Sequence, residues 1–419
     1  MPNAPHPRTT APHLQADTRR DEVSHAAPAH PASHGSTPAL TSRLPDVGTT
    51  IFTTMSALAA QHGAINLGQG FPDFDGDPAL IGAVEAAMRA GQNQYPPMAG
   101  LPVLRQAVVD KIAHLYGHRY DADTEITITA GATQALLTAI LAVVQPGDEV
   151  IVLDPCYDSY VPAIRLAGGV PVRVPLTPGS FAPDLDRIAA ALTPRTRLLL
   201  INSPHNPSGT IWHAHDMQQL QDLLAPTQVL LLADEVYEHM VFDGQLHQSA
   251  SRHPGLAARA FVVSSFGKTF HVTGWKVGTV VAPAALMAEF RKVHQFNVFT
   301  VNTPMQAGLA QYLRNPAPWQ QLPAFYQKKR DLFRAGLANT RFRLLPCEGT
   351  YFQTVDFSAI SDLSEAEFCR WLTTDIGVTA IPTSAFHGDG LDQRLVRFCF
   401  AKQDSTLQQA LARLKRLQG

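Results

Sequence analysis

Short apolar runs alternate with amphipathic stretches along most of the chain, from about Thr49 onward. Several of these runs are almost continuously apolar, which is typical of strands that helices cover on both faces of a parallel sheet. The alternation therefore predicts an α/β fold with a mostly parallel sheet between helices. The predicted strands are Glu125–Thr129, Glu149–Leu153, Leu198–Asn202, Val229–Ala233, Phe261–Ser265 and Thr279–Ala282.

The segments between and after these strands have a helical pattern. We predict helices at Thr133–Val144, Tyr157–Ala167 and Gln306–Leu313. After about residue 320 the composition becomes more charged, and Lys328, Lys329 and Arg330 are predicted to lie on an exposed helix. A second, smaller α+β unit then follows, ending in a strand at Leu395–Phe400 and a helix at Thr406–Leu417.

The first 40 residues differ from the rest of the chain. They consist mainly of Pro, Ala, His, Ser and Thr, have no hydrophobic period, and include only two leucines. Such a segment cannot bury enough apolar surface to order itself, so we predict that residues 1–40 are disordered. A transit peptide is the alternative, but Asp17, Asp21 and Glu22 do not fit its acid-poor pattern.

Charge and length exclude several classes of protein. The 419 residues include 33 Lys+Arg and 35 Asp+Glu, a formal net charge of −2, which does not favour a nucleic-acid partner. No apolar run is long enough to cross a membrane, so we expect a cytoplasmic enzyme without a membrane partner. The four cysteines are scattered and have no histidine at zinc-ligand spacing, which predicts neither a disulfide nor a metal site.

Polar residues follow the predicted strands, at the edge of the sheet where ligands bind in open α/β folds. The segment from Thr129 to Gln134 leaves a strand and opens a helix, so its backbone N–H groups could hold a phosphate, although a glycine at such a turn more often serves packing. Asp234 ends a strand and could pair with a cationic ligand nitrogen, or cap a following helix. Asn202–Gly209 is rich in turn formers and is predicted to be a loop.

Lys268 carries the clearest chemical signal. It follows a strand in apolar, glycine-rich surroundings that include Phe266, Phe270 and Trp275. Burial lowers the pKa of an amine toward the neutral, nucleophilic form, so Lys268 could form a Schiff base with a carbonyl compound. Arg397 lies in a predicted strand among apolar neighbours, where its charge requires a carboxylate, either of a ligand or of the protein itself.

Taken together, these motifs resemble those of the fold type I pyridoxal-phosphate-dependent aminotransferases of class I/II. Asn206-Pro-Ser-Gly, Ala233-Asp-Glu-Val-Tyr and Ser265-Phe-Gly-Lys occur in the order and at the spacing of that family. Asn66-Leu-Gly-Gln-Gly-Phe-Pro-Asp-Phe and Thr273-Gly-Trp-Lys-Val-Gly resemble the branch of kynurenine and bacterial methionine aminotransferases, as do Gly48-Thr-Thr-Ile-Phe-Thr and Pro346-Cys-Glu-Gly-Thr-Tyr-Phe. The resemblance extends from about residue 41 to the end.

For the fold, the resemblance implies a large domain with a mostly parallel seven-stranded sheet and a smaller α+β domain. The implied division is an N-terminal arm at residues 41–75, a large cofactor-binding domain at 76–320 and a small C-terminal domain at 321–419. It also implies a homodimer in which the two chains share their active sites.

For the cofactor, the resemblance implies pyridoxal 5′-phosphate. Lys268 would bind it as a Schiff base and later move a proton between the substrate α-carbon and C4′, while Asp234 would pair with the pyridine nitrogen. Tyr237, Asn206 and Asn202 would contact the ring hydroxyl side, and Tyr157 would stack on the ring. The implied phosphate ligands are Ser265, Lys276, the backbone of Gly131, Ala132 and Thr133, and Tyr95 from a second subunit. Lys276 stands where many relatives have arginine.

For the substrate, the resemblance implies that Arg397 binds the α-carboxylate, assisted by Asn206 and the backbone of Gly70. Phe52, Tyr157 and a second subunit's Phe299 would surround the side chain. An apolar or aromatic side chain fits such surroundings better than a charged one. The expected reaction is a ping-pong transfer of the amino group from a hydrophobic or sulfur-containing amino acid, methionine above all, to a 2-oxo acid.

Two other functions deserve comparison with this one. A β-lyase that acts on cysteine conjugates or cystathionine has the same fold and the same lysine, and the shared motifs do not distinguish it from an aminotransferase. Some transcription regulators carry an aminotransferase-like domain behind a helix-turn-helix, but the Pro-rich segment at residues 1–40 has no helical pattern that could supply one.

Overall fold

The computed structural model describes residues 40–417. The predicted disordered segment at residues 1–40 therefore lies outside the described residues, except for Leu40. Among the described residues, no helix is both long and apolar enough to cross a membrane.

A seven-stranded sheet forms the larger of the two main sheets. Counting the strands along the chain from β1 (Ile65–Asn66), this sheet contains β2 (Ile126–Thr129), β3 (Glu149–Asp154), β4 (Val170–Pro175), β5 (Thr196–Asn202), β6 (Leu230–Asp234), β7 (Ala260–Ser265) and β8 (Gly278–Val281). The strands lie in the order β2-β8-β7-β6-β5-β3-β4. Strand β8 runs in the opposite direction to the other six strands, so the sheet is mostly parallel, as predicted.

Alternate residues of the central strands pack into two different hydrophobic cores. Ile151 and Leu199 belong to one core, whereas Val150 and Leu198 belong to the other. Successive side chains of a strand point to opposite faces, so both faces of the sheet are covered. This double burial explains why the strands are almost continuously apolar in sequence.

Helices cover both sheets and connect their strands. They are α1 (Ile51–His62), α2 (Pro78–Arg89), α3 (Pro102–Tyr116), α4 (Ala132–Val143), α5 (Tyr160–Leu166), α6 (Leu185–Ala191), α7 (Ala214–Leu224), α8 (Pro254–Ala257), α9 (Phe266–Thr269), α10 (Ala284–Asn297), α11 (Thr303–Tyr312), α12 (Ala317–Gln320), α13 (Leu322–Leu337), α14 (Glu365–Trp371) and α15 (Asp404–Leu414). Short 3₁₀ turns occur at Ala250–Arg252, Thr273–Trp275, Thr383–Phe386 and Lys415–Leu417, and a π-helical turn at Leu372–Ile376.

A four-stranded antiparallel sheet is formed near the C-terminus. Its strands are β9 (Arg343–Leu344), β10 (Phe352–Asp356), β12 (Ile381–Pro382) and β13 (Leu395–Cys399), in the order β12-β13-β10-β9. A separate parallel pair joins β1 to β11 (Val378–Thr379). These elements share a third hydrophobic core with α1, α13 and α15. The predicted domain boundaries at residues 76 and 321 stay a prediction.

The structure differs from the sequence prediction in two elements. Strand β4 was not predicted, because its sequence Val-Pro-Val-Arg-Val-Pro contains two prolines; it lies at the edge of the sheet, where a missing N–H is tolerated. Of the basic residues on α13, Lys329 and Arg330 are buried rather than exposed. Their charges are paired with Asp404 and Asp243.

Candidate active site

The parallel strands β5, β6 and β7 end in polar residues that line one cavity of about 250 Å³. Parallel strands present their carboxyl ends at the same edge of a sheet, which brings these distant parts of the sequence together. The predicted site residues that line the cavity are Phe52, Gly70, Gly131, Ala132, Thr133, Tyr157, Asn202, Asn206, Asp234, Tyr237, Ser265, Lys268, Lys276 and Arg397.

Lys268 lies in α9, directly after β7. The hydroxyl of Ser265 caps this short helix by accepting the backbone N–H of Lys268 at 3.4 Å. The Lys268 Nζ lies 2.7 Å from the Tyr351 hydroxyl and 3.1 Å from the carbonyl oxygen of Gly70. Burial lowers the pKa of Lys268 to about 8. An appreciable fraction of the amine is therefore neutral near neutral pH, and the neutral form is the nucleophile and base.

Asp234 is the last residue of β6 and is buried. Its carboxylate accepts a hydrogen bond of 2.6 Å from the hydroxyl of Tyr160 and one of 3.3 Å from the backbone N–H of Val236. Burial raises the pKa of Asp234 to about 6, although both hydrogen bonds favour its charged form. A turn rather than a helix follows Asp234, so the alternative role as a helix cap is wrong.

Asn202 and Asn206 connect the end of β6, where Asp234 lies, to the neighbouring loop. The Asn202 amide donates to the backbone carbonyl of Asp234 at 2.9 Å, and its side-chain oxygen accepts the N–H of Asn206 at 2.8 Å. The side-chain oxygen of Asn206 in turn accepts a bond of 2.6 Å from Arg397. The predicted loop at Asn202–Gly209 thus ties the end of the parallel sheet to strand β13.

The N-terminus of α4 forms a site that fits a phosphate. Gly131 precedes the helix with a φ of 77°, and no side chain caps the first turn, which leaves backbone N–H groups free. A Cβ added to Gly131 would lie 3.3 Å from the Nζ of Lys276, so the ammonium group stands directly over the turn. Free N–H groups, this cation and the hydroxyl of Ser265 all line the same cavity, a donor set suited to a dianion.

Two tyrosines line the cavity between this turn and Arg397. Burial raises the pKa of Tyr157 to about 12, against a smaller lowering by a hydrogen bond with Thr133. Burial also raises the pKa of Tyr237 far above its ordinary value. Both side chains are therefore neutral phenols that can donate a proton in a hydrogen bond.

Arg397 is 1% exposed and lies in β13. Its Nη1 donates to Asn206 and its Nη2 donates to the carbonyl of Gly68 at 3.0 Å. Its Nε has no partner among residues 40–417. Among the described residues Arg397 forms no salt bridge, and Asp158 acts on its charge only from a longer distance. The guanidinium is thus buried with unused hydrogen-bonding capacity.

Aromatic rings surround the guanidinium of Arg397. Its central carbon lies 3.9 Å from the ring centroid of Phe352, 5.1 Å from that of Phe386 and 5.4 Å from that of Phe52. These contacts stabilise the cation without neutralising its charge. The surroundings of the Arg397 guanidinium are therefore mainly apolar.

Tyr95 and Phe299 are the predicted site residues that do not line the cavity. They contact each other, with ring centroids 5.4 Å apart, and are 82% and 43% exposed. The sequence predicted that both residues act in the site of a second subunit. Their position outside this chain's own cavity agrees with that interpretation but does not test it.

The sequence prediction missed Tyr160, Tyr351, Phe352 and Phe386. Tyr160 follows the predicted residue Tyr157 by three positions, a spacing that could have suggested a shared location. Tyr351 and Phe352 stand in the motif Glu-Gly-Thr-Tyr-Phe, which was used only for the resemblance. Phe386 contacts Arg397 from a 3₁₀ turn, and no local sequence pattern indicates that contact.

Comparison with known proteins gives consistent matches. A model of the family "Aminotransferase class I and II" matches residues 62–414. Methionine aminotransferase of Escherichia coli K12 is 53% identical over 377 residues, which cover 90% of this chain and 98% of that protein. Kynurenine–oxoglutarate transaminase of Dictyostelium discoideum is 34% identical over 413 residues, which cover 88% of this chain and 94% of that protein. The crystal structure of YbdL from Escherichia coli, described with a methionine aminotransferase function, has a TM-score of 0.89 at 53% identity and covers 90% of this chain and 100% of that one.

Proposed function

The chain belongs to the class I and II aminotransferases, and we propose that its preferred amino donor is methionine. Phenylalanine, leucine, histidine and kynurenine are the proposed weaker donors, and a 2-oxo acid is the acceptor. The chain is an aminotransferase, and its cofactor is pyridoxal 5′-phosphate. A location in the cytoplasm stays a prediction from the sequence.

We assign the following roles to the residues of the cavity. When bound, the cofactor would supply an electron-withdrawing ring that weakens the bond between the substrate α-carbon and its hydrogen. Lys268 anchors the cofactor and, once released, takes and returns the α-proton at Nζ. Asp234 holds a positive charge on the pyridine nitrogen. The first turn of α4, Ser265 and Lys276 bind the phosphate.

The observation that carries the substrate assignment is the state of Arg397. It is buried, has no protein carboxylate partner among the described residues and retains an unpartnered Nε. An isolated buried charge is costly, and a planar guanidinium binds a carboxylate through two parallel hydrogen bonds. The α-carboxylate of an amino acid supplies the missing charge.

The preference for an apolar side chain follows from the other cavity residues. Its basic side chains are Lys268, Lys276 and Arg397, and the roles above account for all three. No further cation remains among the described lining residues for the second carboxylate of aspartate or glutamate. A thioether against Phe52 and Tyr157 gains roughly 1.5–3 kcal/mol from burial, whereas an unpaired carboxylate there costs several kcal/mol.

A panel of amino donors with one fixed 2-oxo acid tests this preference. We expect the highest kcat/KM for methionine and the lowest for aspartate. Differences among the apolar donors should stay within about 10- to 200-fold, because one methylene changes binding only modestly. A clear preference for aspartate over methionine would show that the cavity has been misinterpreted.

The anchoring role of Lys268 has a direct chemical test. Borohydride reduction of the holoenzyme should fix the cofactor to the peptide that contains Lys268, as found by mass spectrometry. A label on another lysine, or none, contradicts the assignment. The unreduced holoenzyme separates transfer from β-elimination: pyruvate released from a cysteine conjugate without a 2-oxo acid would favour the lyase, which the relatives' names do not support.

We further propose a homodimer with shared active sites. Large apolar side chains are exposed beside Tyr95 and Phe299, among them Met88 and Phe296, the latter 86% exposed. An exposed cluster of this kind is typical of a surface that another protein covers. In a symmetric dimer, Tyr95 and Phe299 would reach the partner's cavity and contact its phosphate and substrate side chain.

Mixing two inactive variants tests the shared site. Lys268→Ala disables a chain's own cavity, whereas Tyr95→Ala would disable the partner's. In a hybrid dimer one of the two sites then has both residues intact, so a refolded equal mixture should recover about a quarter of the wild-type activity. A fully active monomer at high dilution, or no recovery in proven hybrids, would contradict this arrangement.

A further inference from the structure

The amine of Lys268 has two close polar neighbours to which the family resemblance gives no role toward the lysine. Its Nζ lies 2.7 Å from the hydroxyl oxygen of Tyr351 and 3.1 Å from the carbonyl oxygen of Gly70. The Tyr351 hydroxyl also lies 2.5 Å from the same Gly70 carbonyl. Three polar atoms thus form a closed triangle beside the cavity.

The direction of each hydrogen bond in this triangle is determined by chemistry. A carbonyl oxygen can only accept, so the hydroxyl proton of Tyr351 must point to Gly70. The lone pairs of the Tyr351 oxygen are then left to accept an N–H from Lys268. Gly70 has two lone pairs, and the second accepts the other N–H of the lysine.

This pattern determines the orientation of the amine. A neutral amine nitrogen has four tetrahedral directions, of which one is its bond to Cε and two are N–H bonds. The Tyr351 and Gly70 oxygens lie on the same side of Nζ, so the N–H bonds turn toward that side and the lone pair points away from it. Lys268 lines the cavity, and its lone pair is the group that takes a proton there.

We propose that Tyr351 is a positioning residue, which orients the lone pair of released Lys268 for proton transfer by accepting one N–H while its own proton is held by Gly70. This inference rests on the proposed role of Lys268. It differs from a purely structural role, in which the Tyr351 ring matters only for its packing against Tyr237, Tyr326 and Phe352.

The chain offers a matched control in Tyr326. This tyrosine is fully buried, and its ring centroid lies 5.7 Å from that of Tyr351. Its hydroxyl has no hydrogen-bond partner among the described residues. Tyr351→Phe and Tyr326→Phe therefore each remove one buried hydroxyl from the same aromatic cluster, but only the first removes an acceptor of the lysine.

Other groups also influence the charge of Lys268 and are the same in both variants. Asp234 and Cys399 favour the protonated amine, whereas Arg397 and Lys276 disfavour it. Tyr237 faces the amine with its ring, 5.5 Å from Nζ. The Tyr351 hydroxyl also lowers the pKa of Tyr237 through a hydrogen bond, so the acylation profile of Lys268, and not kcat alone, separates its effect on the amine.

The experiment measures Lys268 itself as well as the reaction. Excess amino acid converts the cofactor of the holoenzyme to its amine form, which leaves Lys268 free. The rate of Lys268 acylation by acetic anhydride is then followed against pH by peptide mass spectrometry, and kcat and KM are measured separately. Removing an acceptor disfavours the charged amine, so Tyr351→Phe should lower the midpoint of the acylation profile by about half to one pH unit.

In the same variant we expect kcat to fall roughly tenfold while KM changes less than about twofold. Tyr326→Phe should match the wild type in the acylation profile, kcat and KM. Equal profiles and equal kcat in the two variants would overturn the proposal. So would a loss confined to KM, because that would indicate a role in binding.

Two further results keep the outcome interpretable. If Tyr351→Phe does not fold, 3-fluorotyrosine at position 351 preserves the packing and weakens the oxygen as an acceptor, and a smaller shift in the same direction is expected. If borohydride does not label Lys268 in the wild type, the proposed function fails. If it labels Lys268 but the two phenylalanine variants behave alike, only this inference fails.

Discussion

The two ends of the cavity are built in different ways. Within this chain, the phosphate end consists of a helix N-terminus, Ser265 and Lys276, all at the edge of the seven-stranded sheet. The carboxylate end places Arg397 of β13 between Asn206, the carbonyl of Gly68 and aromatic rings from several segments.

The two ends differ in how the fold brings their residues together. The phosphate-binding groups lie at one edge of a single sheet, because Gly131 follows β2, Ser265 ends β7 and Lys276 precedes the adjacent antiparallel strand β8. The hydrogen bonds of Arg397 join residues 191 and 329 positions apart in sequence. Substitutions at one end should therefore change cofactor binding, and substitutions at the other end should change substrate binding.

The largest effect is expected for Arg397→Lys. Lysine keeps the positive charge but cannot make two parallel bonds to a carboxylate. We expect kcat/KM for methionine to fall about 10²- to 10³-fold, with cofactor affinity unchanged. Steady-state kinetics and a cofactor titration measure the two quantities.

Arg343→Lys is the control for Arg397→Lys. Arg343 lies in β9 of the same sheet, is 70% exposed in its side chain and bonds Asp356. Exposed ion pairs contribute little, so both quantities should stay within about twofold of the wild type. If Arg397→Lys weakened the cofactor as much as the substrate, the separation between the two ends would be wrong.

A second prediction concerns Asp234 in the cofactor-free chain. Burial raises the pKa of this carboxyl from 3.8 to about 6, so between these values the folded chain binds more protons than the unfolded chain. The free energy of unfolding therefore decreases as the pH rises from about 3 to 7, by about 3 kcal/mol in total. Asp234→Asn lacks this contribution.

Urea unfolding of the two cofactor-free proteins at several pH values measures the effect. The stability of Asp234→Asn relative to the wild type should increase by about 2 kcal/mol between pH 4 and pH 7. Asp186→Asn, at an exposed position of α6, should show no such trend. A flat difference for Asp234→Asn would mean that its carboxyl is solvated, and the electrostatic account of the cofactor end would fail.

The contrast between the two ends also explains what the sequence could predict. Lys268, Asp234 and Gly131 were found because each stands at or just after an apolar strand, where position along the chain determines position in the sheet. Arg397 was found because its apolar neighbours made an unpaired charge conspicuous. Its aromatic neighbours were not found. Phe352 lies opposite Cys399 and therefore diagonal to Arg397, and this contact depends on the register between β10 and β13.

The same limit applies to the fold. The interior strands of the large sheet are apolar on both faces and were predicted within about one to two residues. Strand β4 was missed because its prolines are acceptable only at an edge, and the strand order is not a local property. Burial of Lys329 and Arg330 was missed for a similar reason, since their partners Asp404 and Asp243 are distant in sequence.

The smallest expected effect is that of Lys276→Gln, and it completes the comparison. Glutamine keeps most of the length of the side chain that stands over Gly131 but removes its charge. The backbone N–H groups of α4 and the hydroxyl of Ser265 remain, so we expect cofactor affinity to fall only about tenfold. KM for methionine at saturating cofactor should not change. Lys292→Gln, an exposed residue of α10 paired with Glu289, is the control and should leave both quantities unchanged. If Lys276→Gln instead raised KM and left cofactor affinity intact, Lys276 would belong to the substrate end, and the cavity would then hold a cation for an acidic side chain.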